Sequence, residues 1–134
     1  MNGNRIIVHT LIKNKDGFLV TKRSKEENVY AEYWDIPGGL AEYGELPRDA
    51  VKRKVFEEVG LHINPTRVIH EDSNYDKKKD MIFIRLVYLC EITDDSYNIK
   101  LQEEEHTEYR FIKSLDDLVN EKYVSFLEDV FKKV

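Results

Sequence analysis

Gly-Gly-Leu-Ala-Glu-Tyr-Gly-Glu-Leu-Pro-Arg-Asp-Ala-Val-Lys-Arg-Lys-Val-Phe-Glu-Glu-Val-Gly-Leu, residues Gly38 to Leu61, decides how the rest of the chain is read. It reads as a Gly-rich loop followed by one helix. Pro47 suits the first helical position, where its missing N–H is not needed. Gly60 suits the stop, because glycine takes the left-handed C-terminal conformation without steric penalty. On a wheel of about 100° per residue, Val51, Val55, Val59 and Phe56 fall between about 0° and 140°. Arg53, Lys54, Glu57 and Glu58 fall between about 200° and 340°. One face is therefore expected to bury and the other to present charge.

The charged face has two readings. One is a solvated surface laced with i,i+3 and i,i+4 ion pairs, each worth a few tenths of a kcal/mol. The other is a divalent-cation site, since Mg²⁺ takes oxygen ligands from carboxylates, substrate phosphates and water. Glu57 and Glu58 on a rigid helix, with Glu45 just before it, are of the right type.

Gly39, five residues, Glu45, seven residues, then Arg53-Lys54-Val55-Phe56-Glu57-Glu58-Val59-Gly60-Leu61 resembles the signature of the Nudix (MutT-like) hydrolases. Eight of its nine specified positions match: Gly39, Glu45, Arg53, Val55, Glu57, Glu58, Gly60 and Leu61. Where the family has a Glu after the Arg, this chain has Lys54. The family's helix face is net acidic; here Glu57 and Glu58 are cancelled by Arg53 and Lys54. Lys54 is placed to pair with either Glu.

The resemblance implies an α/β fold, an α/β/α sandwich over a mixed sheet, in one domain spanning residues 1–134. It implies Mg²⁺- or Mn²⁺-dependent hydrolysis of the pyrophosphate bond in a nucleoside diphosphate linked to another group. Glu57, Glu58, Arg53 and Glu105 are the implied catalytic residues. Glu57, Glu58, Glu105 and the Gly39 backbone are the implied metal ligands. Arg23, Gly38, Gly39 and Lys54 are the implied substrate contacts. The alternative is a weakened or inactive nucleotide-binding or regulatory module, because Lys54 replaces a motif Glu.

Glu105 enters through the run Glu103-Glu104-Glu105-His106, which resembles the Glu-His segment many Nudix enzymes place opposite the motif helix. Glu105 ranks before Glu104 there. Without the resemblance the run reads as a solvated acidic loop. Arg23 ends Lys22-Arg23-Ser24 at a strand terminus, where an arginine fork suits a phosphate and an ordinary polar edge is the plainer reading. Trp34-Asp35-Ile36-Pro37-Gly38-Gly39 reads as a packing anchor before a tight turn. Glu42 in the loop reads as solvated, with compensation for Lys54 as its other role. His62 and His70 read as surface or packing residues.

The remaining chain is expected to build the frame. Arg5 to Ile12 and Phe18 to Arg23 read as strands joined by the Asn14–Gly17 turn. Met81 to Ile92 is nearly continuously apolar, as in a central strand covered on both faces. Asp72 to Asp80 reads as a charged hairpin loop. Glu121 to Val134 reads as an amphipathic helix, with Tyr123, Phe126, Leu127, Val130, Phe131 and Val134 on one face.

The 134 residues suit one well-buried core, and 41% apolar with 35% charged is a globular composition. The net charge of −5 argues against broad nucleic-acid binding. No run of about 18 apolar residues suggests a membrane span. Cys90 stands alone, so no internal disulfide is expected. The opening residues show no signal-peptide pattern, and cytoplasmic residence is the simplest expectation. The expected partner is a small nucleotide; a homodimer stays open. The chain also shows no added N-terminal domain of the kind seen in some ADP-ribose-type enzymes, which tilts the expectation towards small nucleotides.

Overall fold

The computed structural model describes residues 2–134. Its strands are β1 (Asn4–Asn14), β2 (Gly17–Arg23), β3 (Trp34–Asp35), β4 (Gly38–Leu40), β5 (Ile63–Asp76), β6 (Met81–Ile92) and β7 (His106–Ile112). The helices are α1 (Pro47–Val59) and the short α2 (Leu127–Phe131), with a 3-10 turn at Leu115–Leu118. Among the described residues the strands form one mixed sheet in the order β3-β2-β1-β6-β5, with β4 on β1 and β7 on β2. Among the described strands β1 and β6 pair in parallel and the other pairs are antiparallel, and an isolated parallel bridge joins Trp34 to Tyr123.

Both faces of the central strands are covered, which is why β6 lacks polar alternation. On one face Val8, Ile12, Tyr88 and Cys90 pack with Ala50, Val51, Val55 and Val59 of α1. On the other, Leu11, Val20 and Val87 pack with Trp34, Leu118, Leu127 and Val130. Successive residues thus go to opposite layers, giving the expected helix–sheet–helix sandwich.

The motif helix begins at Pro47 and ends at Gly60, whose φ of 72° is left-handed and whose N–H donates to the Phe56 carbonyl. Phe56 departs from the wheel: it is 53% exposed and lies against His62, with ring centroids 5.0 Å apart. Ala50 takes an interior place instead. Cys90 is buried, and burial pushes its thiol up to about 12, so it is an apolar filler.

The C-terminal expectation is corrected. Helix forms only over Leu127–Phe131. Upstream, the Trp34 N–H donates to the Lys122 carbonyl and the Val124 N–H donates to the Trp34 carbonyl. Those bonds hold the chain extended beside β3. Tyr123, Phe126, Leu127, Val130 and Phe131 still pack inward, Val134 is exposed, and sheet pairing replaces the first helical turns. The 72–80 hairpin is also tighter than expected, since β5 runs on to Asp76. Ser114 caps the 3-10 turn in a capping box with Asp117.

β1 and β2 pair only beside their hairpin, at Lys13↔Phe18 and Asn14↔Gly17. Beyond it β1 takes β4 as a neighbour and β2 takes β3 and β7. The strands therefore part, and α1 closes the gap at the Gly38–Gly39 end.

Candidate active site

The gap is a cleft of about 180 Å³ lined by His9, Arg23, Glu27, Asp35, Gly38, Gly39, Lys54, Glu58, Glu105 and His106, with Ile36. β4 explains the two glycines. A Cβ on Gly38 would sit 2.2 Å from the Val8 carbonyl oxygen, so the β1–β4 pairing excludes any side chain there. A Cβ on Gly39 would sit 2.6 Å from Lys54 Cε. The Lys54 stem thus lies directly on Gly39.

Neighbouring residues of α1 part company at the cleft edge. Glu58 is 1% exposed. Its Oε1 lies 2.9 Å from His106 Nε2 and accepts from the Gly38 N–H at 3.3 Å. Its Oε2 is buried without a hydrogen-bond partner among the described residues, and faces Lys54 Nζ at 3.3 Å. Glu57 is 45% exposed and accepts from Arg53. Arg53 does not reach Glu58. It donates bidentately to Glu45 at 2.8 and 2.9 Å and to the Leu40 carbonyl, tying the loop to the helix. That fork holds the Glu45 carboxyl down at about 2.

The acidic run reaches the cleft through a backbone clasp. The Lys100 and Gln102 N–H groups donate to the carbonyls of Val59 and Glu58, which α1 leaves open at its end. On the other side the Ser24 N–H donates to the Glu105 carbonyl and its hydroxyl to the Glu104 carbonyl. Pinned between α1 and β2, the run delivers Glu105 and His106 and leaves Glu104 exposed. Burial, then the charge of Glu58, pushes the Glu105 carboxyl above its ordinary value.

A register shift between Lys22 and Arg23 sets Arg23 opposite His106. Arg23 donates to Asp35, Glu27 and the Val29 carbonyl. Asp35 is 5% exposed, and burial pushes its carboxyl up to about 6. His9 is held near 3 by burial and by Arg85 and Arg23, so its ring is neutral. Beyond these residues opens a second cavity of about 340 Å³, walled by Val29, Tyr30, Arg85, Val124 and Phe126.

The cleft therefore gathers Arg23, Gly38, Gly39, Lys54, Glu58 and Glu105. Arg53 stays outside it, and Glu57 is turned to the rim. Glu42 is exposed, its N–H donating to Glu45. Sequence reasoning missed His9 and Asp35. The available signals were a histidine inside the apolar β1 and an acid beside the Trp34 anchor.

One ligand atom each from Glu58, Glu105 and His106 lies within 4.8 Å of the others. Two carboxylates and an imidazole make a donor set that fits a divalent cation. Among the described residues, no helix is long and apolar enough to cross a membrane.

The NUDIX domain profile matches residues 3–134. The chain is 30% identical over 125 residues to the nucleoside triphosphatase NudI of Escherichia coli strain K12, covering 87% of this chain and 86% of that one. A MutT protein from Methanosarcina mazei Go1 superposes with a TM-score of 0.79 at 27% identity, over 97% of this chain and 91% of that one. A MutT NUDIX hydrolase from Burkholderia pseudomallei gives 0.76 at 21% identity over 98% of each chain, a likeness of fold. Sequence motif, sheet topology and relatives converge, and the chain belongs to the Nudix hydrolase family.

Proposed function

We propose that the protein hydrolyses a phosphoanhydride bond of a nucleoside triphosphate or similar nucleotide, with Mg²⁺ or Mn²⁺ as cofactor. The observation that carries this reading is the group Glu58, Glu105 and His106, one ligand atom of each within 4.8 Å of the others, in a cleft that also holds Arg23 and Lys54. The nearest support for the substrate class is the 30% identity to a nucleoside triphosphatase.

Glu58, Glu105 and His106 would hold the ion, while Glu57 and the Gly39 backbone, which the family resemblance implies as ligands, have the Lys54 side chain beside them instead. When bound, the ion neutralises phosphate charge and acidifies water. Arg23 and Lys54 contribute positive charge that draws the polyphosphate in and orients it. Glu105 accepts a proton from the attacking water. The new P–O bond forms as the bridging P–O bond breaks, and the leaving phosphate takes the electron pair. Arg53 acts through others, fixing Glu45 and Glu57. The nucleoside extends into the second cavity, against Phe126 and Tyr30.

The test is a panel of nucleoside triphosphates, nucleotide sugars, ADP-ribose and dinucleoside polyphosphates with Mg²⁺, Mn²⁺ or EDTA. Metal-dependent product release, fastest on a triphosphate, is expected. No turnover on any member would remove the proposal. A second reading, a nucleotide-binding module with little hydrolysis, is favoured by Lys54 Nζ at 3.3 Å from Glu58. Nucleotide binding without turnover, with turnover appearing in Lys54→Glu, would establish it instead.

A further inference from the structure

The ammonium of Lys54 is not a surface charge. Its side chain is only 16% exposed, against 45% for Glu57 one turn along. Its Cε and Nζ lie 2.6 and 3.1 Å from where a Cβ on Gly39 would be. From there Nζ faces Glu58 Oε2 at 3.3 Å and Glu57 Oε2 at 3.8 Å. It therefore fills the space between the Gly39 backbone and the Glu57 and Glu58 carboxylates. Glu58 Oε2, buried and without a hydrogen bond, has this cation as its counter-charge.

Glu58 has a second side. Its Oε1 is turned to His106, with Glu105 beside them. A metal ion and an ammonium cannot share the Gly39–Glu58 gap, because Mg²⁺ needs oxygens at about 2.0–2.1 Å and a near-octahedral shell. On the Glu58–Glu105–His106 side, Oε1 meets only the His106 ring and the Gly38 N–H, and among the described residues no ammonium or guanidinium is ion-paired with Glu105. That side also offers an imidazole nitrogen, which suits Mn²⁺ better than Mg²⁺.

We infer that Lys54 is a tethered monovalent cation occupying one cation position of the cleft, leaving a single divalent-ion position at Glu58, Glu105 and His106. This rests on the metal-dependent reading above and sharpens it. The chain would carry part of the positive charge its polyphosphate substrate needs as a covalent group. It would take up one free ion where an acidic residue at position 54 would admit two. Replacing Lys54 by Glu exchanges the ammonium for a third carboxylate beside Glu57, Glu58 and the Gly39 carbonyl, a set of hard oxygen donors.

The experiment is a Mn²⁺ titration of nucleotide-free protein, read by electron paramagnetic resonance of the free ion. Wild type, Lys54→Glu, Lys54→Ala and His106→Gln are compared. Expected are one ion per chain in wild type, two in Lys54→Glu, and a second, weaker ion in Lys54→Ala. In His106→Gln the single ion should bind at least tenfold more weakly, with Mg²⁺ competing for it more effectively. Two ions in wild type, or one ion in both Lys54 variants, would overturn the inference while leaving metal-dependent hydrolysis standing. No Mn²⁺ bound by wild type or by either Lys54 variant would overturn both.

Discussion

Arg53–Glu57 and Lys54–Glu58 are two ion pairs of the same i,i+4 spacing, starting one residue apart on α1, each at 3.3 Å. They do different work because Glu57 is 45% exposed and Glu58 is 1% exposed. In water such a pair contributes a few tenths of a kcal/mol. In a buried cleft the charges cannot be exchanged for solvation, and each needs a specific partner. The wheel already contains the difference. Glu58 sits at about 340°, about 20° from Val51, whereas Glu57 sits at about 240°. One residue of rotation separates a rim clasp from the centre of the cleft.

The sharpest break between the pairs is expected in turnover. Glu58→Gln removes a preorganised charge from the reacting group and should lower metal-dependent kcat on the order of 10²–10³-fold. Glu57→Gln should lower it less than about tenfold. Equal losses would mean that burial does not rank the two carboxylates.

A second contrast is between two carboxylates near the cleft, Asp35 and Glu45, whose protons respond in opposite ways. Burial raises Asp35 from 3.8 to about 6. A raised acid favours the folded state while protonated, so its contribution is present below about pH 4 and lost as pH rises through about 6. Two pKa units correspond to about 3 kcal/mol. Glu45, held down at about 2 by Arg53, contributes above pH 4.5 and loses that contribution as pH falls towards 2. Denaturant unfolding across pH 3 to 7 checks both. Asp35→Asn should remove a decline in stability between pH 4 and 6, and Glu45→Gln should be most destabilising at neutral pH. Parallel profiles for wild type and both variants would contradict the assignments.

The smallest effect belongs to the clasp. Arg53→Ala breaks a bidentate pair on Glu45 that is partly solvated, and should cost about 1 kcal/mol of stability. Thermal unfolding measures it. Mn²⁺ affinity should be nearly unchanged, since Arg53 does not touch Glu58.

Much of the fold was legible because local rules and packing agree. Pro47 and Gly60 bound α1, and the nearly continuous apolar run of β6 announces a strand covered on both sides. The C-terminal segment shows where local rules lose. Its apolar spacing is helical, yet Trp34 offers backbone partners to Lys122 and Val124, and sheet bonds win there. Phe56 was misplaced because a wheel assumes a symmetric partner layer, while His62 covers it only from the side. The motif placed Glu58, and the acidic run placed Glu105. His9 and Asp35 left only local signals, a histidine inside the apolar β1 and an acid beside Trp34, and their joint place in the site was not legible because they come together only where β1 and β2 part. Nothing in one strand's sequence records its divergence from another. The burial of Lys54 depends likewise on the bare Gly39 backbone lying beneath it.

The most direct measurement is anomalous diffraction at the manganese edge from crystals soaked in Mn²⁺ and a non-hydrolysable nucleoside triphosphate. A peak in direct contact with Glu58, beside Glu105 and His106, with the polyphosphate towards Arg23 and Lys54, is predicted. A peak held only by Glu57 and Glu45 on the outer face, or nucleotide bound with no ion near Glu58, would contradict the account.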